Sequence, residues 1–518
     1  MAANAHAWAG ENEAKWGGHI DLEGKAGTDR HLGEADLFLP VVQDDDTLLF
    51  ASIRTRLDDE GGREGNFGLG LRHMLDDGWN LGGYGYFDRR RSGQGNYFSQ
   101  VTIGAELLGR DWDVRANAYI PVGTTHHQVE SLNTAELSGT SVIFRGGEEH
   151  SLGGFDGEIG WRLPLFDAES GTNLRLYGGG YRFSADADTV PDVSGPRGRL
   201  DLSFDEVPYL WDGSRLSLGA EVQHDDPRGT QGFLTARLRI PLQADTPLSR
   251  LTQQERRMTD PIVRDIDIVS QAGTFGPAET ASQLADGQPF TVVNSASTTT
   301  AAALNTALAT AGANSTVLLS GSFSTNAQIN LQIGQTVKSG SISVRSASGR
   351  VANVATQAAI TTQAGAAIFS ITMADGSTVS GLTVSNTAAG AGAVYAIRAQ
   401  SQSDVTITGN TLIVSGANQG AIAVDIVTTT GAVVNNNTIQ SSATTVGAVG
   451  IEAAGATGLS VSNNSISAAG VVSYAFNADG ATALNAASST GNILVSGTCH
   501  GGPFASGSVS FTNGTVCQ

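Results

Sequence analysis

The sequence predicts an all-β chain in two unlike parts: a twelve-stranded antiparallel transmembrane β-barrel, then a parallel β-helix solenoid. Three observations carry this. Between positions 16 and 241 apolar and polar side chains alternate in twelve segments of roughly ten residues, the spacing and length of tilted strands that cross a bilayer. Asn410, Asn437, Asn464 and Asn492 recur 27, 27 and 28 residues apart, each within a strand–Asn–x–aliphatic pattern. Composition also divides the chain. Residues 291–518 hold four basic and five acidic side chains, so nearly all of the net charge of −20 falls on residues 1–290, and all six Trp precede residue 212.

The composition excludes several classes. Glycine is 66 of 518 residues and proline only 13, which favours tight turns and close backbone contacts over collagen or proline-rich disorder. Hydrophobic content of 40% is enough for packed cores. Neither part is basic, so nucleic acid is not an expected partner. No apolar run reaches the length of a membrane-spanning helix. Met1 to Gly10 lack the basic stretch and apolar core of a secretory signal, and their small residues fit the tail of one.

The alternation has two distinct faces. Leu234, Ala236, Leu238 and Ile240 oppose Phe233, Thr235, Arg237 and Arg239; Leu216, Leu218, Ala220 and Val222 oppose Arg215, Ser217, Glu221 and Gln223; Leu200, Leu202 and Phe204 oppose Arg199, Asp201, Ser203 and Asp205. Both signs of charge share the polar face, as a wet lumen allows. Arg199, Arg215, Arg237, Arg239, Asp201, Asp205 and Glu221 are therefore the expected lumen residues, and outer-membrane lipid the expected partner of the opposite face. Trp16, Trp79, Trp112, Trp161 and Tyr119 lie near segment ends, where an interfacial girdle is expected. Alternate connections differ in length, the longest being 122–151. A soluble β-sandwich with charged outer faces would show the same period.

The segments GEADLFLP (33–40), EGNFGLGLR (64–72), LGGYGYFDRR (81–90), YFSQVTIGAEL (97–107), DVRANAYIP (113–121), EVQHDDPRGTQG (221–232) and RRMTDPIVRDIDIV (256–269) resemble, in order, the β-domain of inverse autotransporters, the group of intimin and invasin. The resemblance covers roughly 16–270. It implies a translocator barrel in the bacterial outer membrane, assembled by the barrel-assembly machinery with periplasmic chaperones, and a C-terminal passenger on the cell surface. The expected organisation is an N-terminal tail over 1–15, the barrel over 16–241, a linker through the lumen over 242–270 and an extracellular passenger over 271–518. Only about fifteen residues precede the barrel, so the periplasmic module found in intimin is not expected. The linker is polar, with prolines at 241, 247 and 261; a short helix over Leu248 to Met258 is expected to end before Pro261. Arg250, Glu255, Arg256 and Arg257 are its candidates for pairing with lumen charges. Crossing about 30 Å needs roughly nine extended or twenty helical residues, which the linker can supply.

In the passenger, each interval of 27 or so residues reads as one coil, with alternate aliphatics such as Val405 and Ile407 turned inward. Asn386, Asn410, Asn437, Asn464 and Asn492 are expected to stack as a corner ladder, Asn386 standing 24 residues before Asn410. AAALNTALATA (301–311) is helix-like, with Leu304 and Leu308 one turn apart, and a strand follows it. That order resembles the N-terminal cap of pectin-lyase-like β-helices. Cys499 and Cys517 read as one disulfide, closing a loop worth about 3 kcal/mol, with two unpaired thiols as the alternative. With Phe504 and Phe511 they form the expected C-terminal cap.

Chemistry is sparse. Asp375, Asp404, Asp425, Glu452 and Asp479 fall near coil spacing and could form a carboxylate row, but no charged residue neighbours another. Asp44 to Asp46 and Asp58 to Glu60 read as solvated turns, and His126 and His127 as loop surface. No catalytic, cofactor or metal site is expected. The first reading is a surface anchor and rod for adhesion to host cells, other bacteria or glycans, not an enzyme. The second is a tethered polysaccharide-active β-helix, and the third a pore, against which an occupied lumen argues.

Overall fold

A computed structural model describes residues 15–242, 250–265, 267–363, 369–387, 392–416, 420–501 and 503–518. Apart from residue 15, the N-terminal tail lies outside the described residues. The chain divides into two compact units, residues 1–132 with 147–276 and residues 133–146 with 277–518.

The first seven strands are β1 (His19–Gly27), β2 (His31–Gln43), β3 (Thr47–Asp58), β4 (Arg63–Met74), β5 (Asn80–Arg91), β6 (Tyr97–Leu108) and β7 (Trp112–Val122). Four short strands follow: β8 (His126–Gln128), β9 (Thr134–Ser138), β10 (Ser141–Arg145) and β11 (Glu148–Ser151). Then come β12 (Gly153–Leu163), β13 (Thr172–Ser184), β14 (Val193–Asp205), β15 (Arg215–Asp225) and β16 (Gly229–Pro241). Strands β1–β7 and β12–β16 close into one antiparallel barrel, with β16 pairing back on β1 so that Ile240 faces Ile20. Closure satisfies every ladder and leaves no free edge, the condition for strands to cross a bilayer.

Period two sets the two faces. In β4 (REGNFGLGLRHM) Phe67, Leu69 and Leu71 point outward while Glu64, Asn66 and Arg72 are buried. Leu69 is 60% exposed, Phe155 60% and Leu234 67%, yet their strands are well paired, so this outer face is built for a solvent other than water. Positions 68 and 70 face the lumen and are glycine there because a Cβ would lie 2.3 Å from the rings of Tyr86 and Phe50, respectively. The girdle expectation needs correction. Trp112 and Trp161 are outward, stacked at 6.2 Å, but Trp16 and Tyr119 are buried inside. Connection lengths also differ less than expected: strand β5 runs on to Arg91, and the 123–152 connection alone is long.

The C-terminal unit is a stack of short strands around an apolar core. After β17 (Ser270–Gly273), β18 (Ala278–Leu284) and β19 (Phe290–Asn294), helix Ala301–Ala311 is capped by Thr300, whose Oγ1 accepts from the Ala303 N–H at 3.1 Å. Gly312 ends it at φ 85°. Leu304 and Leu308 are fully buried against the first coil. Strands β20 (Thr316–Thr325), β21 (Ile329–Asn330) and β22 (Thr336–Lys338) begin the solenoid; the hairpin of β23 (Gly340–Ser346) and β24 (Val351–Thr356) leaves the second coil as an excursion. The ladders that follow are parallel and give seven coils with three faces. On one face Val317, Val337, Val379, Ile407, Val434 and Val461 stack in register, each at most 2% exposed. On another Ile371, Ile397, Val424, Ile451 and Phe476 stack and end on Cys499. Cys499 is disulfide-bonded to Cys517, and Phe504 packs edge-on against Phe476 at 5.8 Å, which closes that end.

Candidate functional site

The lumen of the first unit is filled by the chain that follows β16. Thr252 starts a helical turn, α1 (Gln253–Arg256), through a capping box with Glu255. A 3₁₀ turn over Arg257–Thr259 follows, and Pro261 ends the helical run. Among the described residues the expected helix over 248–258 is met by the run from Gln253 to Thr259, and residues 243–249 lie outside the described residues. From there the chain is extended, and its contacts climb the wall.

At the end bearing the short 75–79 turn, Gln254 Nε2 donates to the carbonyls of Leu75 at 3.0 Å and Trp79 at 3.2 Å. Trp16 Nε1 donates to the Glu255 carbonyl at 2.8 Å, the reason this Trp is inside. Arg257 grips Asp113 at 2.5 and 2.9 Å, and Asp113 also takes Arg175 at 3.2 Å and Tyr177 at 3.0 Å. Arg239 holds the Thr259 carbonyl at 2.9 Å and Asp21 at 3.0 Å. Mid-lumen, Arg72 donates to the Met258 carbonyl and Arg54 to that of Ile262. Higher, Arg264 pairs with Asp88 at 2.8 Å and Arg197 with Asp265 at 2.5 Å, while the Tyr119 hydroxyl accepts from the Asp265 N–H. At the far end Asp267 is held by Arg30 at 2.7 Å and Arg90 at 3.0 Å. Residues 253–265 with 267 and 268 thus reach from one rim of the lumen to the other.

Every expected lumen residue stands in this network. Arg199 pairs with Glu158 at 2.7 Å and Asp201 at 3.3 Å; Arg215 with Asp205 and, at 2.7 Å, with Asp260; Arg237 with Glu23; Glu221 with Lys25 at 2.8 Å. Of the linker residues, Arg256 reaches Glu169 at 3.0 Å and Glu255 reaches Lys15 at 2.7 Å. The lumen is not uniformly polar. Met258 and Ile262 pack into a buried cluster with Trp16, Phe38, Leu48, Phe50, Tyr84 and Tyr86. Sequence reasoning missed it, although Phe38, Leu48 and Phe50 sit on the polar phase of their strands and were the available signal.

In the solenoid, Asn410, Asn437, Asn464 and Asn492 form one buried column. Asn437 Nδ2 donates to the Ile407 carbonyl at 2.9 Å and to Asn464 Oδ1 at 3.0 Å, while its own Oδ1 accepts from the N–H and Nδ2 of Asn410. Asn464 repeats this against Asn492. Each coil corner is bonded to the next by identical amides, at the strand spacing of about 4.8 Å. Asn386 is corrected out of the column. It lies opposite Val414 on the next face, and the corner equivalent to Asn410 is Leu382, whose N–H donates to Asn410 Oδ1 at 2.9 Å.

The carboxylates divide likewise. Asp375 and Asp479 accept from the backbone N–H groups of Ser403 and Gly455 at 2.7 and 2.9 Å, and Asp404 occupies a corner at φ 53°. Asp425 and Glu452 are direct neighbours on one face, in a column with Arg398, Asn477 and His500. Arg398 meets Asp425 at 3.2 Å and lies 4.4 Å over the Phe369 ring. Burial pushes the Asp425 carboxyl up to about 6, with Glu452 adding to the shift and Arg398 opposing it; burial raises Glu452 as well. Beside this column run Phe369, Tyr395, Ile422, Val449 and Tyr474.

Among the described residues no group of three or more His, Cys, Asp or Glu side chains could hold a metal ion. The Asp44 carboxylate instead accepts from the N–H groups of Asp46 and Thr47, and Asp58 from those of Glu60 and Gly62. His126 stacks on His150 at 5.5 Å and His127 meets Phe98 edge-on.

Residues 13–178 match the family model of the inverse autotransporter β-domain. No curated protein sequence matches the chain. Solved structures with some likeness include a protein from a study of in-meso crystallization of membrane proteins (16% identity, TM-score 0.37, 50% of this chain and 100% of that one). Others are the COG4313 outer membrane channel from Pseudomonas putida F1 (12%, 0.32, 46% and 100%) and the β-domain of the Bordetella autotransporter BrkA (14%, 0.24, 43% and 98%). Likenesses at these scores carry no functional weight. The matched residues supply most of a closed barrel whose outer face is aliphatic and whose lumen is filled by the following chain, and that chain leads to a β-solenoid. Residues 13–178 are thus similar to the β-domain of inverse autotransporters, within a barrel of the bacterial outer membrane whose following solenoid is the surface-exposed passenger.

Proposed function

We propose that the displayed passenger is an adhesin, binding host cells, other bacteria or glycans through many weak polar contacts along its coils. The observation that carries this reading is repetition of small polar groups across coils. Ser401 meets Thr428 at 2.9 Å, Thr430 meets Thr457 at 3.1 Å, Ser460 meets Ser488 at 2.6 Å and Ser467 meets Ser496 at 2.9 Å. A rod that repeats one chemistry every 4.8 Å or so suits avidity over a broad surface, where many weak sites add. On this reading the chain is not an enzyme and not a pore. Two of the spaces left in the lumen measure about 70 and 90 Å³, room for a few waters each. Insertion of the barrel would use the barrel-assembly machinery and periplasmic chaperones, as for other outer-membrane barrels of this family.

The test is display of the full chain on a non-adherent Gram-negative host, with and without residues 277–518. Adherence to cultured cells, to sister bacteria or to immobilised glycans that disappears with the passenger supports the reading. Full display with no gain in adherence to any of the three overturns it.

A second reading has one specific observation in its favour: Asp425 and Glu452 stand side by side, both with raised proton affinity, next to an aromatic and aliphatic column. Adjacent rungs lie about 4.8 Å apart, near the separation of a retaining glycosidase pair. Polysaccharide turnover by displayed passenger, lost in Asp425→Asn and in Glu452→Gln, would establish it.

A further inference from the structure

The long connection between β7 and β12 is folded, and its strands pair with the chain that leaves the lumen. Strand β8 pairs with β11, and the other edge of β11 takes β17, with Ser151 opposite Ser270 and Glu148 opposite Gly273. Just before this ladder, the Leu152 N–H donates to the Val269 carbonyl at 2.8 Å. Glu149, 3% exposed, accepts from Ser92 at 2.8 Å, Asn96 at 2.7 Å and Ser270 at 3.1 Å, which ties this ladder to the β5–β6 connection.

The next strand of the connection takes the next strand of the chain. Hairpin β9–β10 turns at Gly139, where φ is 62°. Strand β10 then pairs with β18: Val142 faces Ala281, Ile143 faces Thr280, Phe144 faces Glu279 and Arg145 faces Ala278. The far edge of β18 takes β23, and β23 takes β24, so one five-stranded antiparallel sheet is assembled from three stretches of sequence. Its core is continuous with the start of the solenoid. Val142, Phe144, Val344, Val354 and Leu318 are all fully buried in one cluster, and Leu318 belongs to the first coil. Arg350 fixes the corner, its Nη2 donating to Asn133 Oδ1 at 2.7 Å.

We propose that the connection 123–152 is a folding template for the passenger: its two strand edges capture β17 and β18 in turn as the chain emerges, and its β9–β10 hairpin completes the N-terminal cap of the solenoid. The proposal rests on the reading that the passenger emerges through the barrel. Physical reasons favour a template. The stacked coils of a parallel solenoid pair only with strands distant in sequence, the β23–β24 hairpin leaves the second coil and not the first, and non-local ladders form slowly because loop closure precedes any gain. A solenoid also needs its first coil covered, both to hide its apolar end and to protect its edge. A hairpin carried on a connection between barrel strands precedes the passenger in the chain and is held near its path, and strand addition to it supplies backbone hydrogen bonds at once. Pairing β17 and then β18 also removes chain from the lumen stepwise, which opposes its return.

The experiment uses the full chain in cells, with an epitope after residue 518. The double variant Ile143→Cys/Thr280→Cys joins directly opposed positions, and the native cysteines are already paired with each other. A second variant, Val142→Asp/Phe144→Ser, removes the hairpin's core contacts, and Glu136→Ala serves as a control on a less buried position. The first is expected to cross-link in nearly all surface-displayed molecules. The second is expected to leave a heat-modifiable barrel in the outer membrane but to increase passenger cleavage by external protease about tenfold, with Glu136→Ala unchanged. A folded barrel whose 143–280 pair stays reduced, or a Val142→Asp/Phe144→Ser passenger as resistant as the parent, overturns the proposal. If the epitope of the parent itself cannot be reached from outside, the display reading fails instead, and the two failures are distinguishable.

Discussion

The barrel and the solenoid share one backbone rule and reverse its chemistry. Both alternate side chains with period two. In the barrel Arg72, Asp113 and Arg239 turn inward and Leu69 and Leu234 outward; in the solenoid Val434 and Ile439 turn inward and hydroxyls face out. The alternation specifies strands but not which face meets the core. That choice lies in what the polar face can pair with. Barrel charges find opposite charges across strands and on the threaded chain, whereas the solenoid buries almost no charge and satisfies its corners with Asn amides. The barrel is thus held by specific, non-repeating ion pairs, and the solenoid by one increment repeated seven times. Damage should therefore be all-or-none in the first and graded in the second.

The largest effect is expected at Asp113. Its removal in Asp113→Ala takes the carboxylate from buried Arg175, leaving it backbone carbonyls, and leaves buried Arg257 with Asp260 alone; loss of one partner of a buried pair costs about 3–5 kcal/mol. The barrel should lose its heat-modifiable migration at a lower temperature, and planar bilayers should show openings that the parent lacks. An unchanged, closed barrel would mean that this pair does not hold the plug.

Reduction of the Cys499–Cys517 bond comes next. It is expected to cost about 3 kcal/mol, felt at the last coil and not at the barrel. Hydrogen exchange should rise over 472–518 and fade toward the first coils; uniform loss of protection would argue against repeat-by-repeat stability. Asn437→Ala leaves the Asn410 amide and the Ile407 carbonyl short of partners, and about 2 kcal/mol is expected from denaturant unfolding of the passenger. Asn464→Ala should match it, because the two corners are copies.

The smallest effect is a pH dependence. The folded carboxyl of Asp425 titrates at about 6, above its ordinary 3.8, so the folded state binds more protons between those values. Stability from this group is therefore greatest in acid and falls as pH rises from about 4 to 6. Asp425→Asn is expected to flatten that fall, with a neutral-pH change of about 1 kcal/mol or less because its contact with Arg398 is lost too. An unchanged pH profile in the variant would assign the titration elsewhere.

Much of this was legible in the sequence, and the misses have physical causes. All twelve barrel strands announce themselves, because a two-sided strand cannot hide its period over ten residues. The Asn column is legible because stacking demands a constant interval, and Asn386 departs from it for the same reason: an interval of 24 in place of 27 puts it on another face. Trp16 and Tyr119 lie inside, against the girdle expectation, because nearness to a strand end says nothing about inside or outside. The hairpin of Thr134–Ser138 and Ser141–Arg145 shows in the sequence only as part of the long 122–151 connection. Its signal is the alternation of Ala135, Leu137, Val142 and Phe144 around Gly139, too short to stand without the strand it pairs with.

The account turns on which groups face lipid, periplasm and exterior. Three single-cysteine variants report all three under a membrane-impermeant maleimide, since the native thiols are paired: Leu69→Cys on the outer wall, Asp76→Cys in a short turn and Val471→Cys on the passenger, where Val471 is 71% exposed. The expected result is labelling at 471 in intact cells, at 76 only after the outer membrane is permeabilised, and at 69 in neither. Labelling at 76 but not at 471 in intact cells, or ready aqueous labelling at 69, would contradict it.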